Sequence, residues 1–243
     1  MAQADWAFLT GGLGSGSVAR GVTAGVVPPN GGGSFVYGFN SLAIVDGAVA
    51  LCCSLSGFAP MAKGGSIRGA IKRAPGGGAI GFAPFFFIGL QGGAVSDSGY
   101  LLGLGDESPH HIVLRKGSIL TGLPDLAADP DGTSHILMRS TETFEEDTWL
   151  QLRLDFIVQG SGDVVLQCFA NDLTVNAVTA PVWETIAGME GPLIPSVEGF
   201  VDDALGINTG SVPFTSGRAG FAFRVEDVTR RAYLDSIEIA RQL

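Results

Sequence analysis

Two adjacent histidines, His110 and His111, carry the side chains whose charge changes nearest to neutral pH. Such a pair could bind a metal ion or act as an acid and a base. Consecutive residues of a strand point to opposite faces, so these two rings cannot readily share one ligand. We therefore expect His111 to be packed and His110 to be exposed, and we expect the isolated His135 to be structural.

Oxygen ligands of the kind that calcium takes are grouped at Asp125, Asp129 and Asp131. The residue order of an EF-hand loop is absent, and Asp-Pro-Asp-Gly is also an ordinary turn. We favour the turn, and we treat the pair Asp202-Asp203 in the same way. The sequence therefore predicts no metal site and no cofactor.

Motifs for other kinds of catalysis are missing. Neither Gly-x-Ser-x-Gly nor His-Glu-x-x-His occurs. The glycine-rich segment 11–17 has no terminal Lys for a phosphate and no apolar strand before it, so it indicates a flexible linker. Three cysteines, Cys52, Cys53 and Cys168, cannot all pair, which excludes a scaffold held by disulfides.

Aromatic side chains could stack on sugar rings. The candidates are Trp6, Trp149, Trp183 and Tyr100. Trp149 stands at the start of an alternating strand, so we expect it in the core. Trp183 lies between loop residues, and we expect it to be exposed, where it would contact either a glycan or a neighbouring subunit.

Glycine separates the elements that must position these residues. It accounts for 37 of the 243 residues, and its clusters fall between short runs rich in Val, Ile, Phe and Leu. That pattern is typical of strands joined by turns. We predict strands near residues 34–42, 43–55, 66–73, 80–90, 100–104 and 112–116.

Alternation is clearest in residues 149–158. The side chains of one face are apolar and those of the other are polar: Leu150, Leu152, Leu154 and Phe156 against Gln151, Arg153 and Asp155. This predicts a half-buried antiparallel strand that forms a hairpin with residues 163–172. Segments 220–225 and 231–240 predict a closing hairpin. Short helical connectors fit residues 123–129 and 197–205.

Many short strands without intervening helices predict an all-β fold, an antiparallel jelly-roll sandwich over residues 34–243. Residues 1–33 are predicted to form a glycine-rich N-terminal arm that orders on assembly. The net charge of −10, from 14 Lys and Arg against 24 Asp and Glu, argues against direct binding of nucleic acid.

The longest apolar stretch, residues 79–90, is broken by glycine and proline and is too short to span a membrane. The first residues carry no basic leader. We therefore expect a soluble protein that is made in a cytoplasm and has no membrane partner.

Four segments resemble the concanavalin A-like lectin/glucanase superfamily of jelly rolls, which includes laminin G-like modules. The segments are Ser66-Ile-Arg-Gly-Ala-Ile-Lys-Arg, Trp149-Leu-Gln-Leu-Arg-Leu-Asp-Phe, Val164-Val-Leu-Gln-Cys-Phe-Ala-Asn-Asp-Leu and the ending from Ser216-Gly-Arg-Ala-Gly-Phe to Leu234-Asp-Ser-Ile-Glu-Ile. The resemblance covers residues 34–243 and implies a concanavalin A-like fold.

Hydrolytic members of that superfamily use two carboxylates in a pattern like Glu-x-Asp-x-Glu, one as nucleophile and one as acid/base. Neither Glu142-Thr-Phe-Glu-Glu-Asp nor Asp235-Ser-Ile-Glu has that spacing. We therefore expect Glu142, Glu145, Glu146 and Asp147 to form a solvated acidic loop. The resulting prediction is that the chain is not an enzyme and has no catalytic residues.

Three sequence segments resemble those of uncharacterised virion proteins of tailed bacteriophages: Tyr100-Leu-Leu-Gly-Leu-Gly-Asp, Pro109-His-His-Ile-Val-Leu-Arg-Lys-Gly and Thr215-Ser-Gly-Arg-Ala-Gly-Phe. This resemblance implies a non-enzymatic structural protein of the virion, in the tail or baseplate, made in the host cytoplasm. It would contact copies of itself, other virion proteins and a surface glycan. The alternatives are a soluble carbohydrate-binding module and a glycoside hydrolase.

Overall fold

The computed structural model describes residues 63–73, 85–92, 97–105, 110–118, 135–189, 199–222 and 231–241, together with four earlier strands. These four are β1 (Trp6–Ala7), β2 (Ser15–Gly21), β3 (Val36–Ala43) and β4 (Ser54–Leu55). The later strands are β5 (Gly64–Arg73), β6 (Phe85–Leu90), β7 (Ser98–Leu104), β8 (His110–Ser118), β9 (His135–Phe144), β10 (Leu150–Val158), β11 (Val164–Asn171), β12 (Glu184–Thr185), β13 (Phe200–Asp202), β14 (Arg218–Ala222) and β15 (Arg231–Arg241).

Two antiparallel sheets form the sandwich. The larger sheet has eight strands, in the order β12-β11-β10-β5-β15-β3-β2, with β13 also paired to β11. The smaller has five, in the order β14-β6-β7-β8-β9, and β1 pairs separately with β4. The chain is therefore an all-β antiparallel jelly-roll sandwich, as the alternation and the turn signals predicted. Among the described residues, no helix is long and apolar enough to cross a membrane.

The core lies between the two sheets. Strand β10 contributes Leu150, Leu152, Leu154 and Phe156, the four side chains that alternation assigned to one face. Its predicted hairpin with β11 is confirmed, because Val158 pairs with Val164 and the register continues to Gln151 and Asn171. The smaller sheet packs against this face with Phe86, Ile88, Tyr100, Leu102, Ile112 and Leu114.

Strands β6 and β7 of the smaller sheet are buried on their second face as well. Phe85, Phe87 and Leu101 point away from the core side chains of β6 and β7, yet none of them is accessible to solvent. This explains why β6 is a continuous apolar run, which is typical of strands covered on both faces.

Two predicted elements differ from the structure. The closing hairpin is wrong, because β14 pairs with β6 in the smaller sheet whereas β15 pairs with β5 and β3 in the larger one. Alternation identifies a strand but not its partner. The helical connector at residues 197–205 is also wrong where it is described, because Phe200 enters the core and β13 pairs with β11. The connector at 123–129 lies outside the described residues.

The predicted N-terminal arm contains part of the larger sheet. Strand β2, from within the glycine-rich first 33 residues, pairs with β3 at the edge of that sheet. Residues 15–17, part of the segment interpreted as a flexible linker, therefore lie in a strand. The domain boundary at residue 33 stays a prediction.

Candidate functional site

A cleft of about 410 Å³ opens at one end of the sandwich. Three segments form its walls: the turn between β9 and β10, the turn after β11, and β12 with the residues that follow it. The lining residues are Leu104, Glu142, Phe144, Glu145, Thr148, Trp149, Leu150, Ala170, Asp172, Leu173, Thr174, Glu184, Thr185, Ile186 and Ala187. A volume of this size suits a small ligand or a few sugar units.

The cleft combines aromatic rings with acidic and hydroxyl groups. Trp149 and Phe144 supply the rings, and the carboxylates belong to Glu142, Glu145, Asp172 and Glu184. None of the described lining residues is Lys, Arg or His. The Thr174 hydroxyl and backbone N–H both donate to Asp172 and hold the pKa of that carboxyl below its usual value. The cleft is therefore negatively charged near neutral pH.

The acidic turn before β10 is fixed from beneath rather than simply solvated. The Asp147 carboxylate lies 2.7 Å from the Lys72 ammonium, and its backbone N–H donates to the Arg73 carbonyl at 2.8 Å. Asp147 has a φ of 65°, a left-handed conformation that Asp tolerates better than most residues. The turn was correctly predicted to be largely exposed, but its role as a cleft wall was missed.

Trp149 was predicted to be in the core, and that prediction is wrong. Its side chain is half-buried and lines the cleft, with the Lys72 ammonium 6.0 Å from the ring centre. Strand alternation could have identified this position. Trp149 is two residues from Gln151, which lies on the polar face of β10, and one residue from Leu150, which lies in the core.

The two histidines have the opposite burial to the one predicted. His110 is inaccessible to solvent and His111 is half-buried, with its Nδ1 2.7 Å from the Ser140 carbonyl. The Arg73 guanidinium donates to His110 Nδ1 at 2.9 Å, and His110 Nε2 lies 3.3 Å from Glu146. Burial and the adjacent Arg73 charge lower the pKa of His110, against the opposing effect of Glu146.

Gly188 holds the β12 segment against β9. Its φ is 85°, and a Cβ there would lie 2.7 Å from the Thr141 backbone nitrogen. The neighbouring Ala187 carbonyl accepts a hydrogen bond from that same N–H at 2.8 Å. This contact places Ala187 and Ile186 in the cleft wall.

We expect Gly188→Ala to lower the free energy of unfolding by about 2–4 kcal/mol, because it adds a backbone clash to an unfavourable φ. Urea unfolding at neutral pH measures the loss. Gly160→Ala is the matched control, since a Cβ at that turn position meets no atom within 4 Å. Equal stability of the two variants would contradict the close approach.

A second polar surface lies on the outer face of the larger sheet. Arg153 of β10 is opposite Phe169 of β11 and Arg68 of β5, and Arg68 is opposite Glu238 of β15. The Arg68 and Glu238 side chains lie 2.6 Å apart, and Arg153 pairs with Asp155 of its own strand through a contact of 2.7 Å.

Arg153 also lies over two aromatic rings of this face. Its guanidinium carbon is 5.4 Å from the Phe169 ring centre and 6.0 Å from that of Trp183. Trp183 is half-buried rather than freely exposed. A pocket of about 230 Å³ lies beside this group and is lined by Gly65, Ser66, Arg153, Asp155, Phe156, Ile157 and Ala240.

Asp235 lies on the same sheet face, but it does not form a pair of neighbouring carboxylates with Glu238. A bulge separates the two residues, and Ser236 within it has a φ of 52°. Asp235 is buried, and this burial raises the pKa of its carboxyl. Its neighbour Glu238 is instead neutralised by Arg68.

A buried charged network occupies the far end of β8, about 20 Å along the strand from His110. The Lys116 ammonium lies 2.7 Å from Asp202, and both side chains are inaccessible or nearly so. The Tyr100 hydroxyl donates to Asp202 at 2.5 Å and Thr209 donates at 2.9 Å. Burial and the Asp202 charge raise the pKa of Tyr100. Tyr100 is thus a core residue, and Asp202 is part of a strand rather than of a turn.

Other sequence candidates have separate outcomes. Asp203 forms a turn as predicted, accepting from the backbone N–H groups of Leu205, Ile207 and Asn208. Asp125, Asp129 and Asp131, the Cys52-Cys53 pair, and the side chains of Trp6 and His135 lie outside the described residues. Within the described part of the chain, no group of three or more His, Cys, Asp or Glu side chains could hold a metal ion.

No family model and no curated protein matches the chain. Several solved structures are similar to it. The marine PL-14 alginate lyase from Aplysia kurodai has a TM-score of 0.53 at 11% identity, over 93% of this chain and 87% of that one. The carbohydrate-binding module CBM66 from Bacillus subtilis has a TM-score of 0.41 at 9% identity, over 94% and 96%. The VIP36 exoplasmic/lumenal domain, bound to Ca²⁺ and Man3GlcNAc, has a TM-score of 0.44 at 13% identity, over 100% and 90%.

The prediction that the chain is not an enzyme is wrong. The alginate lyase named above is an enzyme with this fold. The missing Glu-x-Asp-x-Glu spacing bears only on hydrolysis by a pair of carboxylates. A polysaccharide lyase cleaves its substrate by elimination and needs no such pair of carboxylates. The argument from the spacing of carboxylates therefore did not address lyase chemistry. At these identities the similarity shows the jelly-roll fold alone.

Proposed function

We propose that the chain binds carbohydrate in the cleft beside Trp149. The observation that carries this proposal is the joint presence, in a cleft of about 410 Å³, of aromatic rings and of carboxylate and hydroxyl groups. Sugar rings present an apolar face, which packs on an aromatic ring, and hydroxyls, which donate to carboxylates. Both kinds of contact are available here within one cavity.

The backbone around the cleft fixes the residues that would contact a ligand. Thr185 and Glu184 lie in β12, which is paired to β11, and Asp172 is fixed by Thr174. The Asp172 carboxylate, held in this way, loses little freedom when a ligand binds. The alginate lyase that shares the fold acts on a polysaccharide, which supports carbohydrate as the class of ligand and carries no information on which site binds it.

We expect Trp149→Ala to weaken oligosaccharide binding about 10- to 100-fold, because it removes about 1.5–3 kcal/mol of apolar contact. Isothermal titration with N-acetylglucosamine oligosaccharides measures the affinity. Trp183→Ala is the matched control, since Trp183 is outside the cleft lining and should leave this affinity unchanged. Unaltered binding by Trp149→Ala would remove the cleft from the proposal.

A second candidate site is the outer face of the larger sheet, with action on an acidic polysaccharide. The observation that favours it is the direct opposition of Arg153 and Arg68, both partly exposed, beside the rings of Phe169 and Trp183. Arg153 is paired with Asp155 and Arg68 with Glu238, so a uronate would bind through their remaining N–H groups. Guanidinium groups form paired hydrogen bonds with a uronate carboxylate. Binding of an oligouronate that Arg153→Leu abolishes and Trp149→Ala leaves intact would assign that ligand to this face. Incubation with the polymer, followed by the absorbance of unsaturated products, tests for cleavage.

The role of a phage structural protein stays a prediction. The comparisons support the carbohydrate-binding alternative better than the virion hypothesis. The described residues give no support for contacts with copies of the chain or with other virion proteins. They also give no support for a place in the tail or baseplate. We therefore place this hypothesis after the two carbohydrate sites.

A further inference from the structure

His110 lies beneath the acidic turn, at the start of β8, and does not line the cleft. Its ring joins two elements that come from distant parts of the chain. On one side is Arg73 at the end of β5, and on the other is Glu146 in the turn between β9 and β10. The neighbours of Glu146 in that turn include Glu145 and Thr148, which line the cleft.

The hydrogen-bond pattern favours one tautomer of this ring. His110 Nδ1 lies 2.9 Å from Arg73 Nη1, which only donates, and 3.1 Å from the Gly105 carbonyl, which only accepts. That carbonyl already accepts from Arg73, and an unprotonated Nε2 would face the Glu146 carboxylate, so the neutral ring accepts at Nδ1. The ring proton then lies on Nε2 and is directed at the Glu146 carboxylate, 3.3 Å away. Arg73 also donates to the Gly105 carbonyl at 2.8 Å, which holds the guanidinium in place.

We propose that His110 is a positioning residue: in its neutral, Nε2-protonated form it links Arg73 to Glu146 and so holds the acidic turn in the conformation that completes the cleft. The functional consequence rests on the proposed binding of carbohydrate there. Protonation would place a hydrogen on Nδ1, facing the guanidinium, and the link to Arg73 would be lost.

The charged groups that face this ring have opposing effects. Among the described residues they are Arg73 from β5 and Glu146 from the turn, while Gly105, directly after β7, contributes its carbonyl. Burial and Arg73 lower the pKa of His110 below 6.5, and Glu146 and the Gly105 carbonyl oppose them. The unfolded chain therefore takes the proton first. The stability due to neutral His110 is complete above pH 6.5 and is lost as the pH falls from 6.5 to the native pKa.

The test measures the fluorescence of Trp149 without ligand from about pH 8 to pH 5. The Trp149 signal is obtained by subtracting the fluorescence of Trp149→Phe from that of the wild type. We expect a transition below pH 6.5 in the wild type, none in His110→Gln, and an unchanged transition in the control His111→Gln. Glu146→Gln should move the midpoint to lower pH, because it removes the group that favours the charged ring. Identical profiles for the wild type and His110→Gln would overturn the proposal.

Two further measurements separate this inference from the function of the cleft. Affinity for an N-acetylglucosamine oligosaccharide, which does not itself titrate in this range, should fall by up to about tenfold per pH unit below the native pKa of His110. If no oligosaccharide binds at pH 8, the proposed function fails while the fluorescence result stands. Should His110→Gln not fold, the ¹⁵N shifts of wild-type His110 decide, and a proton on Nδ1 at pH 8 would refute the positioning role.

Discussion

Replacing Lys116 by Met should lower the free energy of unfolding by about 3–5 kcal/mol, because it leaves the buried Asp202 carboxylate without its cation. The same change removes the hydrogen bonds that the ammonium donates to Thr209 and to the carbonyls of Ser211 and Val212. Neither carbonyl acquires a new donor from a methionine. Urea unfolding at neutral pH, followed by circular dichroism, gives the value.

Lys72→Met is the matched control for this experiment. It removes the same charge and nearly the same volume, but the carboxylate of its partner Asp147 is mostly exposed to water. Exposed ion pairs contribute about 0–1 kcal/mol. A loss for Lys116→Met no larger than that for Lys72→Met would mean that water or another group compensates Asp202, contrary to the buried network described above.

The Lys116 network explains how residues 203–214 form an ordered turn without a core of their own. Leu205, Ile207 and Val212 are largely exposed, and Phe214 packs against the core only at the end of the segment, so apolar burial contributes little to holding residues 203–213. Its backbone is instead bonded to Lys116, to Asp203 and, through the Phe214 N–H, to the Tyr100 hydroxyl at 3.0 Å. Lys116→Met should therefore loosen this turn before the sheets, which hydrogen exchange of the residue 203–214 amides would show.

Local alternation predicted many strands of the fold but not all of them. No strand was predicted at β9, the start of β2 was interpreted as a linker, and the region of β13 was predicted to be helical. The period of two in β10 assigned Leu152 and Leu154 to the core, and both are inaccessible to solvent. The same rule stated that His110 and His111 point to opposite faces, but it could not say which face was covered. That depends on β7, β9 and the distant Arg73, none of which is specified by the residues around the pair.

The candidate site was less predictable because it is built from contacts between distant segments. Glu145 and Glu184 lie 39 residues apart in the sequence, yet they line one cleft. Each acidic residue by itself is typical of a solvated turn. The pair Lys116 and Asp202 is separated more widely still, and strand patterns carry no signal for a buried charge that is neutralised by a remote partner.

Glycans that carry free amines should bind in the cleft at least about tenfold more tightly than matched neutral ones, and oligouronates should be rejected there. The reason is the set of carboxylates at Glu142, Glu145, Asp172 and Glu184, with no cation among the described lining residues. The nearby Lys72 does not offset them, because its charge is paired with Asp147. One ammonium at about 4 Å from one carboxylate gains about 1 kcal/mol in water and about 4 kcal/mol near a protein surface.

Glucosamine oligosaccharides and their N-acetylated counterparts of equal length measure this preference, because they differ only in the charge and the acetyl group. The ratio of affinities should shrink as salt is added, since screening weakens contacts between exposed charges. The variant Glu142→Gln/Glu145→Gln/Asp172→Asn/Glu184→Gln replaces all four carboxylates by amides of similar shape and should bind both sugars equally. Preference for the amine that survives these four substitutions would show that something other than the charge of the cleft selects the ligand. Loss of the preference with retained binding of the neutral sugar would separate the two contributions, stacking on Trp149 and attraction by the carboxylates.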